Sequence, residues 1–467
     1  MREADSFGIP QSYYFFNLGC PKNLVDAERA AGRLDDAGWT HAAAPEDAHL
    51  LVVTTCAFIE QAEEESVEEI LRVVSLKTDR QRLAVLGCLV SREGEKLQKL
   101  LPEVDLFLDV QHIDELADRI PFEGDRDDSG PASSRDSAPS QQRRPAGGKS
   151  ISLDRHLFTP PHIAYLKIAD GCSNCCSYCT IPDIRGSLRS RERGDLLAEA
   201  AQLIRSGVKE IVIVAQDTSA WGSERGDKGQ LYDMLADVAE TIDTGWLRLL
   251  YLHPAHIAVR PLAGLLGREQ VCRYLDIPIQ HVSDRILAGM GRGYGKRDLE
   301  RLFGDLRDRI DGLVLRTTVM TGFPGETDRE FGELMKFLED TSFEHVGVFT
   351  YSPEEGTAAA GLGQMVPPEV AAERRDELLD LQMDISHEKL DARTGQEVII
   401  LVDERYDPAV RPREDIWGSG RFYGQAYEID GMTYLGGTPV EPGRFARATL
   451  LEAEAYDIFA EIRGKLD

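Results

Sequence analysis

The chain has 467 residues, 42% of them hydrophobic, and a formal net charge of −28. That length exceeds one ordinary core and predicts about three domains. No apolar run reaches the ~18 residues of a membrane span, and the acidic start Met1-Arg2-Glu3-Ala4-Asp5 argues against a secretory signal, so a cytoplasmic protein with no membrane contact is expected. The charge repels nucleic acid unless basic residues cluster, and it favours a basic partner; an acidic surface that keeps a protein soluble in salt would give the same total.

Residues 1–120 alternate strands with amphipathic helices. Tyr13–Leu18, Leu50–Thr54, Leu83–Leu86 and Leu106–Asp109 read as strands. Leu24, Ala27, Ala31 and Leu34 keep helical spacing before a Gly38 stop, and Ile59, Ala62, Val67, Ile70, Leu71 and Val74 do the same for a second helix. This alternation predicts an α/β, doubly wound parallel sheet. Residues 121–150 carry one aromatic and no branched aliphatic side chain, which predicts a flexible linker.

A second strand–helix series, within a core placed at 155–392, has strands at Ile163–Ile168, Glu210–Val214, Leu247–Leu252, Tyr274–Ile277, Leu313–Val319 and His345–Thr350. Six βα units are too few for a closed eight-unit barrel, so an open partial (β/α)6 barrel is expected. Pro367 and Pro368 open a long helix through Ala392. Beyond it, residues 394–463 change to period two, with strands at Val398–Val402, Phe422–Ile429 and Ala446–Ala453, and predict a small β-barrel.

The chain has eight cysteines, and in an intracellular protein metal or redox chemistry is the better expectation than disulfides. Cys172, Cys176 and Cys179 form C-x3-C-x2-C directly after the first strand of the second series. Three close thiolates on one loop suit a cubic [4Fe–4S] cluster and leave one iron open. A zinc site would want a fourth Cys or His; Cys175 could supply it, but in so short a loop the tetrahedron is strained. Cys20, Cys56 and Cys88 each end a predicted strand, in FFNLGC, LLVVTTC and LAVLGC. Ends of parallel strands share one sheet edge, so these three can converge on a second cluster. The alternative is three unrelated buried cysteines.

The run AYLKIADGC at 164–172, with Ile181-Pro182 and Arg185-Gly186, resembles the radical S-adenosylmethionine (SAM) methylthiotransferases. That resemblance implies two [4Fe–4S] clusters, SAM bound at the open iron, and a 5′-deoxyadenosyl radical that attacks an inert carbon. Leu18-Gly19-Cys20-Pro21-Lys22-Asn23-Leu24-Val25-Asp26 is similar to the signature of the branch that modifies ribosomal protein S12; the tRNA branch usually has a Gln and Asn pattern after this cysteine. Thr54 departs from the family, which usually has Asn before Thr-Cys. The resemblance spans nearly the whole chain outside 121–150, and its last module resembles a TRAM domain.

Gln216 and Asp217, in VIVAQDTS, match a family motif near the cofactor. Gly322 and Glu326, in TGFPGE, follow the fifth strand, where Gly lets backbone approach a ligand and Glu can accept from ribose or adenine. Each also fits an ordinary βα turn. Cys175 reads as a loop residue, Cys272 as core, His281 as structural, and Arg185, Arg189, Arg191 and Arg193 as a solvated basic run. The resemblance implies methylthiolation of an aspartate β-carbon in S12 with two SAM per product. Its partners would be S12 or the small ribosomal subunit, a reducing electron donor such as flavodoxin or ferredoxin, and a sulfur donor. The alternatives are methylthiolation of a tRNA adenosine and a non-catalytic iron–sulfur scaffold.

Overall fold

The computed structural model describes residues 11–120 and 155–466. The linker expected at 121–150 and the acidic start lie outside the described residues.

Five parallel strands open the chain: β1 (Ser12–Asn17), β2 (Thr40–His41), β3 (Leu50–Thr55), β4 (Arg82–Gly87) and β5 (Leu106–Leu108), in the order β2-β1-β3-β4-β5. Strand side chains alternate between faces, so each face needs its own cover. Tyr13, Phe15, Leu50, Val52, Ala84 and Leu86 meet Ala27, Ala30, Ala31 and Leu34 of α1 (Pro21–Asp36). Leu51, Val53, Leu83 and Val85 meet α2 (Glu60–Leu76) and α3 (Cys88–Leu100). The sheet is therefore doubly wound, and its order reverses between β1 and β3, where ligands of such sheets bind. A short α4 (Leu116–Arg119) closes the α1 face.

The central domain is a six-stranded parallel sheet taken in chain order: β6 (Ile163–Lys167), β9 (Glu210–Val214), β10 (Trp246–Leu249), β11 (Val271–Asp276), β12 (Val314–Thr321) and β13 (His345–Thr350). A small hairpin, β7 (Ala169–Asp170) with β8 (Arg189–Ser190), follows β6. Leu166, Ile213, Leu249, Leu275 and Leu315 pack outward against α6 (Arg193–Arg205), α7 (Leu231–Glu240), α8 (Val259–Leu266), α10 (Lys296–Arg309) and α11 (Asp328–Thr341). Two shorter helices, α5 (Ile181–Arg185) and α9 (Asp284–Gly289), sit in loops. This is the expected partial barrel. Val25 of α1 and Leu401, Ala426 and Phe445 of the C-terminal module pack with Tyr165, Val212, Leu250 and Tyr274 of its other face.

After α12 (Pro368–Asp391) come β14 (Glu397–Arg405), β15 (Gly418–Phe422), β16 (Thr433–Gly437), β17 (Phe445–Ala453) and β18 (Ile458–Lys465), a closed barrel in the order β14-β15-β16-β18-β17. The strand expected at Phe422–Ile429 is corrected: it lies at Gly418–Phe422. The apolar residues Tyr423, Ala426, Tyr427 and Ile429 were misleading because they pack on the central domain rather than inside the barrel.

Buried ions join the three parts. Lys167 of β6 pairs with Asp26 of α1 and, at 3.0 Å, with Asp170. Arg185 pairs with the same two carboxylates, each at 3.0 Å. The solvated reading of Arg185 is thus corrected: its side chain is 1% exposed. Arg155 reaches Glu28 of α1 and Glu199 of α6, each at 2.6 Å. Glu210 of β9 holds Arg248 and Arg421 of β15, each at 2.6 Å, and Arg421 also reaches Asp403.

Removing one partner from a buried pair leaves an uncompensated charge. Asp26→Ala should therefore cost about 3–5 kcal/mol in denaturant unfolding. A loss below about 1 kcal/mol, the size of an exposed pair, would show that Asp26 does not hold the junction.

Candidate functional site

Cys56 and Cys88 follow β3 and β4 directly and Cys20 lies three residues past β1, so parallel pairing brings them to one edge beside the point where strand order reverses. Gly19 makes this close approach possible. Its φ is +93°, and a Cβ there would stand 2.6 Å from Asn23 Nδ2 and 3.1 Å from Cys56 Cβ. Asn23 is the bracket between them: its Nδ2 donates to Thr55 O at 2.9 Å, and its Oδ1 accepts from Cys88 Sγ at 3.4 Å and from Arg185 Nη2 at 2.5 Å.

The three thiols sense one another. Burial pushes Cys88 up to about 11, opposed by Arg185 and reinforced by Cys20 and Cys56. Burial also raises Cys56. Cys20 is lowered instead, because Lys22, Arg185 and the backbone N–H groups of Asn23 and Lys22 outweigh its burial. A cleft of about 260 Å³, lined by Asn17, Gly19, Cys20, Leu24, Tyr165 and Tyr427 among others, reaches this edge where the three domains meet.

The second set lies on the loop after β7. Cys172 N donates to Gly186 O at 3.0 Å, and Cys179 N to Cys176 O at 3.1 Å. Ser177 stitches the loop to Met290 O and Gly289 O at 3.0 and 2.7 Å. Arg292 donates from Nη1 to Cys176 Sγ at 3.3 Å, while Nη2 and Nε are fixed by Pro278 O and Tyr294 Oη, each at 2.8 Å. Tyr178, Ile286, Met290 and Phe323 pack around Cys176 and Cys179. Burial, with Cys176 and Cys172 adding to it, pushes Cys179 up to about 12. Burial likewise raises Cys172.

All eight cysteines are free. Two half-sheltered triads of soft sulfur donors, each beside one arginine, fit iron–sulfur clusters better than a hard oxygen-seeking cation. Cys175 is exposed and Cys272 is buried on β11, as loop and core residues should be.

Gln216 follows β9 and stands 3.5 Å from Asp170 Oδ1; its Oε1 is buried without a hydrogen-bond partner. Asp217 accepts from Asn174 Nδ2 of the cysteine loop at 2.8 Å and from Ser219 Oγ at 2.6 Å, and lies 2.8 Å from His256 Nδ1. Those hydrogen bonds bring its pKa down to about 2 against the effect of burial. Gly322 and Glu326 lie against α12. A Cβ at Gly322 would stand 2.5 Å from Ala371 Cβ of α12, and Glu326 is taken by Gly322 N at 2.5 Å, Arg374 at 2.9 Å and His281 at 3.3 Å. Asn174 and Arg292 carry the geometry without having stood out in the sequence, and Asn23 and Asp26 stood out only as part of the segment around Cys20. Asn23 and Asp26 had one usable signal, their i, i+3 spacing on the helix that starts after Cys20.

Comparison with known proteins agrees with this architecture. Residues 12–109 match the uncharacterized protein family UPF0004, 166–338 the radical SAM superfamily and 394–462 the TRAM domain. The chain is 40% identical over 458 residues to the ribosomal protein uS12 methylthiotransferase RimO of Syntrophobacter fumaroxidans, covering 97% of this chain and 99% of that one. It is 37% identical over 447 residues to the protein of the same name from Thermotoga maritima, covering 95% and 98%. Among solved structures, the radical SAM methyltransferase TsrM of Kitasatospora setae shares the fold at a TM-score of 0.51 and 16% identity, over 72% of each chain.

His253 stacks on His256 at 4.8 Å, and burial, then Arg292, bring its pKa from 6.5 down to about 3. Between those values the unfolded chain binds a proton that the folded chain refuses, so stability falls as pH drops, by about 1.4 kcal/mol per unit at full effect. His253→Gln should flatten the pH dependence of the urea midpoint between about pH 6 and 4. An unchanged slope would mean that His253 titrates normally.

Proposed function

The chain belongs to the RimO family of ribosomal protein uS12 methylthiotransferases, and on that premise we propose that it methylthiolates the β-carbon of an aspartate in ribosomal protein S12, using two SAM per product. The observation that supports the reading is the buried junction at which Arg185, six residues after Cys179, reaches Asn23 and Asp26 of the helix that begins after Cys20. In this reading Cys172, Cys176 and Cys179 hold one [4Fe–4S] cluster, and Cys20, Cys56 and Cys88 hold another. Bound there with SAM, these groups would supply radical chemistry, a methyl group and the sulfur to be inserted.

The chain's own residues shape that chemistry. Arg292 places positive charge against the Cys176 sulfur. Asp217 fixes the loop through Asn174. Gln216 keeps a free buried acceptor for a polar group of SAM. The apolar shell of Tyr178, Met290 and Phe323 excludes water from the reacting space. Residues 1–120 would form the sulfur-supplying domain, 155–392 the radical core and 394–463 the module that meets S12.

Electrostatics favours a basic protein over RNA as substrate. Residues 395–460 contain twelve Asp or Glu against six Arg. Arg421 is buried between Glu210 and Asp403, and Arg405 and Arg413 pair with Glu441 and Glu452. RNA binding needs cations free to neutralise phosphate. Among the described residues no helix is long and apolar enough to cross a membrane. The reading puts the enzyme in the cytoplasm, served by a reducing electron donor such as flavodoxin or ferredoxin and by a sulfur donor.

The test is mass analysis of S12 and of tRNA after incubation with reconstituted enzyme, reductant, sulfide and SAM. Methylthio-aspartate on S12 is expected; product on tRNA adenosine with S12 untouched would overturn the substrate. Alanine at Cys172, Cys176 or Cys179 should abolish release of 5′-deoxyadenosine. Alanine at Cys20, Cys56 and Cys88 together should halve bound iron and stop methylthiolation while SAM cleavage continues. Normal product from that triple variant would remove the second triad from the mechanism.

A further inference from the structure

Two cations that meet the helix after Cys20 are neutralised. Lys167 and Arg185 share Asp26 and Asp170. Lys22, two residues after Cys20, makes no ion pair with a described residue, although its charge is felt by Cys20, Cys56 and, more weakly than Arg316's, by Asp276. Its Nζ instead lies over the ring of Tyr251, 3.6 Å from the centroid. A ring face attracts an ammonium without neutralising it, and leaves its remaining N–H groups free to donate.

The ring is held there at a cost. Tyr251, just past the end of β10, has φ of +60°, a left-handed conformation rare for a bulky residue and worth about 1–3 kcal/mol of strain. Its backbone is pinned in place: Tyr251 N donates to Asp276 Oδ2 at 3.1 Å, and Tyr251 O accepts from Thr218 N at 2.9 Å. The nearby polar groups are incompletely matched as well. Asp276 Oδ1 and Arg316 Nε are buried without a hydrogen bond, and Arg316 Nη1 stands 3.8 Å from Asp276 Oδ1. Strand ends of βα folds are where substrates bind, and this one faces the Cys20 turn.

We propose that Lys22 is a specificity-determining residue whose ammonium receives the side-chain carboxylate of the substrate aspartate and so holds the adjacent β-carbon between the two cysteine triads. This inference rests on the proposed function and sharpens it. An adenine base carries no anionic group to meet such a cation, so Lys22 selects a carboxylate-bearing substrate over a neutral base.

The test uses the reconstituted enzyme and two forms of S12, one natural and one with Asn at the target aspartate. Wild-type enzyme should bind natural S12 more tightly by about tenfold or more, the worth of a charge-assisted hydrogen bond. Lys22→Met should bind both forms equally, at the weaker affinity, and Lys22→Arg should keep most of the preference. Equal affinity of the wild-type enzyme for both forms overturns the proposal without recourse to any variant. Undiminished discrimination by Lys22→Met overturns it as well. Failure of the wild-type enzyme to bind S12 at all would instead bring down the substrate assignment itself, and this inference with it.

Discussion

The two halves of the site are held together by one buried knot of charge, in which Asp26 and Asp170 are shared by Lys167 and Arg185. Asp26 belongs to the helix that begins after Cys20, and Arg185 ends the short helix that follows Cys179. Arg185 also reaches Asn23, which accepts from Cys88 and ties the strand ends of the first domain together. Burying four charges is costly, and such clusters do not add stability over apolar packing; what they enforce is a single relative placement. Here the placement sets the helix after Cys20 against the short helix after Cys179. Asp170 shows the strength of the coupling, for Lys167 and Arg185 hold its carboxyl well below the usual range despite its burial.

The same device recurs at the other boundaries. Arg155 joins Glu28 of the first domain to Glu199 of the second, and Arg421 joins the C-terminal barrel to Glu210. Charged residues spent in this way are not available at the surface. That matters most for the C-terminal module, where removal of Arg421 from the surface leaves an acidic exterior suited to a basic protein.

Much of this was legible in the sequence, and the failures have a common cause. Period-two and period-3.6 patterns located the longer strands of both parallel sheets, though not the two-residue β2, because these strands bury apolar side chains against the helices that follow them. The three strand-terminal cysteines stood out for the same reason. The C-terminal barrel was harder. Its second strand, Gly418-Ser419-Gly420-Arg421-Phe422, is nearly devoid of apolar side chains, and Gly420 is required because a Cβ there would stand 2.5 Å from Leu401 O. Arg185 resembled a surface residue among other arginines, since its partner Asp26 lies 159 positions away. In each case a residue's role was set by a distant element that local pattern does not reveal.

The proposed pair of clusters, one on each side of the charged knot, has a direct spectroscopic consequence. Two reduced clusters held at this junction should show magnetic coupling between their spins in electron paramagnetic resonance, and the coupling should weaken in Asp26→Ala while total iron is retained. Spectra that are the plain sum of two isolated clusters in the wild-type enzyme would contradict the account.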